Sequence, residues 1–137
     1  MNTSATVLTG FIAWTLALIV LMVVLRVRLV VNRSVRANQF TPGNEGLSPF
    51  MQRLARAHAN CVENLPILGG LLVVALLTQQ THITDLLAPG LLAARMVQTC
   101  AHLASGRTLA VKIRFSAFAV QLLIALYWTV ALFTQLI

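Results

Sequence analysis

An uncharged apolar run from Val7 to Leu25 is closed by Arg26 and Arg28. At about 1.5 Å of rise per residue, roughly 20 helical residues cross a hydrocarbon core, so this run predicts a first span. From Val31 to Phe50 the pattern turns polar and carries Pro42, Gly43, Gly46 and Pro49, which predicts a loop. Ser48 is placed to cap the next helix, with Pro49 at its first position. That helix begins polar and turns apolar only at LPILGGLLVVALL. The apolar half is too short to cross alone, so the polar half is expected to reach into the membrane. QQTHITD and ASGR read as short turns around a third apolar stretch. A fourth follows and is free of charge from Phe115 onward. The expected fold is all-α: a four-transmembrane-helix bundle in one domain over 1–137, with spans at about 6–31, 49–78, 84–103 and 109–136.

Composition strengthens the membrane reading. The chain is 58% hydrophobic and only 9% charged, where a soluble domain carries about 25% charged residues. Too little polar surface remains to cover a water-soluble globule. The net charge of +7 would suggest nucleic acid in a soluble protein. Here no aromatic-plus-basic strip in a polar context accompanies it, so the cations read as topology signals and contacts to anionic membrane lipid. Cys61 and Cys100 lie inside predicted helices without metal-ligand spacing, so they read as packing residues and no metal site is expected.

The charges also orient the chain. The stub before the first span, the turn at 79–85 and the C-terminus contain no Lys or Arg. Arg26, Arg28, Arg33, Arg36, Arg53, Arg56, Arg107, Lys112 and Arg114 all fall on the opposite side. By the positive-inside rule both termini are expected outside and the two basic loops in the cytoplasm of an inner-membrane, multi-pass protein. The stub has no positive charge ahead of its apolar run, unlike a secretory signal, so the first span is expected to be retained.

The densest polar cluster, RLARAHANCVEN, stands at the mouth of the second span. At about 100° per residue, Arg53, Arg56, Asn60 and Glu63 share an arc of about 80°, while His58 points elsewhere. Arg95, Gln98 and His102 share a face of the third span. Ionisable side chains within spans are costly and usually face the bundle interior or a wet cavity, so these faces are expected to look at one another or at a neighbouring subunit. Arg28 and Arg114 lie at the same depth, and one pocket there would collect them all. Arginines hold carboxylates in forked geometry, a carboxylate such as Glu63 holds an ammonium, and an amide such as Asn60 serves a peptide bond. A cation beside a thiol raises its thiolate fraction. The set suits a small, acidic zwitterionic peptide. The competing structural account is that arginines at span ends only snorkel to the headgroups.

R-x-x-R-A-H-x-N-x-x-E-N-x-P at the head of the second span resembles the MAPEG family, the membrane-associated proteins in eicosanoid and glutathione metabolism, and its bacterial branch most. The resemblance covers essentially the whole chain. It implies a four-helix protomer, a homotrimer, and glutathione as co-substrate bound between subunits. Position by position it implies glutathione contacts at Arg28, Arg53, Arg56, Asn60 and Glu63, with Arg95 matching a family arginine. Gln98 and His102 stand where relatives often carry His or Tyr. Arg114, in KIRFS, best matches the arginine that stabilises the thiolate, and Arg107 is its rival. Ala59 replaces an arginine of prostaglandin-synthesising relatives, and Phe118 stands where some relatives have tyrosine. The implied activity is a glutathione S-transferase or peroxidase acting on an apolar electrophile that arrives from the bilayer, at a site on the cytoplasmic face. Catalysis would rest on Arg114 with His102. A non-catalytic lipid- or partner-binding protein of the same fold is the alternative. A proton-coupled exporter fits less well, because arginines flank Glu63 and favour an anion.

Overall fold

A computed structural model describes the chain from Asn2 to Ile137. Its helices are α1 (Thr3–Val31), α2 (Pro49–Leu77), the single-turn α3 (Thr81–Thr84), α4 (Ala88–Ala104) and α5 (Thr108–Leu136). There is no strand among the described residues. Helices α1, α2 and α5 are long and apolar enough to cross a membrane. Helix α4 has 17 residues, or about 26 Å at 1.5 Å per residue.

Local chemistry sets the boundaries. The Asn2 side chain accepts from the Ala5 amide at 3.1 Å and starts α1. Ser48 accepts from the Met51 amide at 3.3 Å with Pro49 behind it, so α2 starts as its sequence predicts. The expected third span does not begin at 84. Pro89 lacks an N–H, and its ring would collide with the carbonyl of Asp85 in a continuous helix, so α3 ends at Thr84 and α4 begins afresh at Ala88 with Pro89 in its first turn.

Buried positions on α1 (Ser4, Val7, Phe11, Thr15, Leu18, Met22) recur every three or four residues and form one inward stripe. The outer faces stay apolar: Leu16, Val20, Leu123, Val130 and Phe133 are all exposed. That is the pattern of a bundle whose solvent is lipid, in which packing and interhelical hydrogen bonds hold the helices together. Gly10 lets α1 approach α4, since a Cβ there would come within 2.9 Å of Leu92 Cδ2.

The interior has three layers. Near the termini, Phe11, Leu72, Leu91, Ile124 and Trp128 pack as one apolar cluster. Near the long loop, Leu18, Met22, Met51, Leu54 and Cys61 form a second. Between them Trp14 Nε1 donates to Thr99 Oγ1 (3.1 Å), Thr99 Oγ1 donates to the Arg95 carbonyl (3.0 Å), and Gln121 Nε2 donates to Gln98 Oε1 (2.8 Å). The termini end is latched by Asp85, whose Oδ1 accepts from Ser4 N (2.8 Å) and Ser4 Oγ (2.6 Å). At the other end Arg26 pins the loop: its Nε and Nη2 donate to Asn44 Oδ1 at 3.1 and 2.6 Å, and Nη2 also donates to the Thr41 carbonyl. Asn44, buried with φ 55°, donates onward to the Met51 carbonyl at 2.7 Å.

Candidate functional site

The polar stripe of α2 divides between its two neighbours: Arg53 and Asn60 reach α4, while Glu63 borders a cavity toward α1. Arg56 and Glu63 are exposed; Arg53 and Asn60 are half-buried. Two of the four are tied to α4. Arg53 Nε donates to the Leu103 carbonyl at 3.0 Å, filling one of the acceptors left open at the end of α4. Asn60 Oδ1 accepts a hydrogen bond from Arg95 Nη1.

Arg95 and Gln98 are expected from the sequence among the ligand contacts; Arg95 lies in the bundle interior, and Gln98, though buried, borders the cavity of His102 and Arg114. Arg95 is fully enclosed, with its guanidinium 5.4 Å from the Phe11 ring centroid. Gln98 is 5% exposed and bonded to Gln121. A charged or amide side chain inside a span gains more from a partner on the next helix than from the surface, which explains both placements.

His102 is half-buried, and the positive charges of Arg114, Arg56 and Arg95, from three helices, all bear on its imidazole. With Gln98, Arg114, Val111, Phe115 and Phe118 it lines an open cavity of about 230 Å³. The chain has three acidic residues against ten basic ones, so carboxylates are scarce partners for these cations. An imidazole and the Arg114 guanidinium on one wall, with Phe115 and Phe118 on the other, form a site suited to an anion with an apolar flank.

The expected single pocket is divided within one protomer. Arg28 is exposed and lines a separate groove of about 250 Å³ with Leu29, Asn32, Ser48 and Phe50, because it projects from α1 toward the start of α2. Glu63 borders a third cavity, of about 460 Å³, with Arg26, His58 and Met22. Arg107 lies in a groove with Ser105, Leu109 and Ile113, apart from His102, so of the two rival arginines only Arg114 lines the His102 cavity.

The MAPEG family model matches residues 4–134, nearly the whole chain. The chain belongs to the MAPEG family. Comparisons with curated proteins and with solved structures find no match. This MAPEG protein has membrane-competent helices, with exposed or half-buried cations on α2 and α5 and the single arginine of α4 enclosed. Sequence reasoning missed three of its structural polar residues. Gln121 carried a signal, being an amide in mid-span beside Gln98. Arg26 and Asn44 carried none, since their pairing depends on how the loop folds back.

Proposed function

We propose that this MAPEG protein is an integral-membrane glutathione-dependent transferase or peroxidase that works as a homotrimer with four spans per protomer, α4 being the third. The observation that carries the reading is His102 and Arg114 lining one cavity beside the apolar wall of Phe115 and Phe118, in a chain matched to the family from 4 to 134. Arg56 and the terminal nitrogens of Arg53 bind the carboxylates of glutathione, and Glu63 binds its ammonium. Asn60 bonds the peptide. Arg28 sits in another groove of its own protomer, so it serves the site from a neighbouring copy. Exposed polar side chains at membrane depth favour such a neighbour, because bare lipid against Arg56 and Glu63 is costly.

Arg114 stabilises the thiolate of glutathione, and His102 assists as a hydrogen-bond donor. The thiolate sulfur attacks the electrophilic carbon of an apolar substrate, an S–C bond forms, and the leaving group departs with its electron pair. With a hydroperoxide the sulfur instead attacks the terminal oxygen, the O–O bond breaks, and the alkoxide leaves with its electron pair and takes up a proton as the alcohol; the thiol of a second glutathione then attacks the resulting sulfenic acid, releasing water and the disulfide. The substrate arrives laterally along Phe115 and Phe118. The site lies at the cytoplasmic face of the inner membrane, with both termini outside. The test is conjugation of glutathione to a model electrophile by the purified protein in detergent. The reading predicts turnover that falls sharply in Arg114→Ala and Glu63→Gln, and unchanged rates in both would sink the site.

A non-catalytic lipid- or partner-binding role is the second reading. It is favoured by the cavity lining, where Phe118 and His102 supply no phenol hydroxyl to the sulfur. That reading predicts glutathione-independent folding and no turnover with any electrophile.

A further inference from the structure

Arg95 is an oddity that the proposed chemistry does not absorb. Its side chain is 0% exposed, and two of its donors, Nε and Nη2, have no hydrogen-bond partner. The third nitrogen, Nη1, donates to Asn60 Oδ1. A guanidinium has donors only, so the Asn60 group that faces it must be the carbonyl oxygen. The amide of Asn60 is thereby held in one of its two flipped orientations. Its Oδ1 is turned inward onto Arg95 of α4, which leaves the Nδ2 amino group on the other side of the half-buried side chain. The opposite flip would set N–H donors against N–H donors inside a span, where no water relieves the clash.

From this geometry we infer that Arg95 is a positioning residue that fixes Asn60 as a hydrogen-bond donor to the ligand, so the ligand atom seated at Asn60 is an acceptor, a carboxylate or peptide carbonyl oxygen. The inference rests on the glutathione reading for the identity of the ligand, and on Arg95 alone for the direction of the bond. It removes Arg95 from the ligand contacts and gives it a role exerted through Asn60. It also sets a selectivity rule. A ligand that offers an N–H or an ammonium at that point meets a donor and is rejected, as a buried unpaired donor rejects a mismatched partner.

Asn60→Asp separates this role from a merely structural one. Aspartate keeps the oxygen that Arg95 needs and strengthens that pair, but it turns an acceptor outward in place of the amino group. Thermal unfolding in detergent, without ligand, of wild type, Asn60→Asp, Arg95→Met and the double variant tests the clamp. The expected result is a melting temperature held or raised by Asn60→Asp when Arg95 is present, and lowered by it in the Arg95→Met background. Additive effects in that cycle overturn the clamp. Calorimetric titration with glutathione tests the outward donor. Wild type is expected to bind, Asn60→Asp to bind about tenfold more weakly or worse, and Arg95→Met to fold yet bind several-fold more weakly. Wild-type affinity in Asn60→Asp overturns the inference. A wild type that binds no glutathione overturns the functional reading, and the clamp then stands or falls on the unfolding cycle.

Discussion

The two ends of this bundle are built from different materials. At the termini end, Phe11, Leu72, Leu91 and Trp128 are fully enclosed, and the carboxylate of Asp85 is consumed by Ser4. At the loop end, Arg53, Arg56, His102 and Arg114 are half-buried or exposed, and most of the ten basic residues gather there against few acids. One end is closed and largely apolar, with the Trp128 indole N–H its one buried donor left without a partner among the described residues. The other carries a large excess of positive over negative side chains. In a helix bundle surrounded by lipid, where packing is the main adhesive, that division separates the region that holds the fold from the region free to bind.

The division is sharpest in what it predicts for substitutions. Trp128→Ala should cost the most stability, about 3 kcal/mol in lost packing, read as a lower melting temperature in detergent, while turnover per folded molecule stays near wild type. Arg114→Ala should do the reverse. Its turnover should fall about 100-fold, the scale for losing a group that stabilises a developing anion, with the melting temperature unchanged. Ser4→Ala, which removes an interhelical bond at the latched end, should cost about 1 kcal/mol and leave glutathione kinetics alone. Arg107→Ala should be the mildest. It lies outside the His102 cavity, so turnover within about twofold of wild type is expected for a surface change. An Arg107→Ala defect matching that of Arg114→Ala would erase the distinction between the two arginines.

Much of this was legible in the chain itself. The charge-free run of α1 and the Ser48–Pro49 start of α2 follow from composition and capping chemistry. Helical spacing predicts a shared face for Arg53, Arg56, Asn60 and Glu63; Arg53 and Asn60 do reach α4 together, whereas Glu63 borders the cavity between α1 and α2 with His58. What spacing does not contain is the partner. That Arg53 closes the end of α4, that Arg95 turns inward onto Asn60, and that Gln98 meets Gln121 depend on which helix lies alongside and at what height. The late start of α4 was written in Pro89, whose missing N–H outweighs the apolar pattern around it.

The long loop has a practical side. Its sequence reads as a polar loop, and within it Asn44 is buried and anchored to both Arg26 and the first turn of α2. Its two halves therefore differ as places to engineer. An epitope tag or a protease site inserted at exposed Ala37–Asn38 leaves the anchor untouched. The same insertion between Pro42 and Leu47 would pull Asn44 from its seat and loosen the junction of α1 with α2.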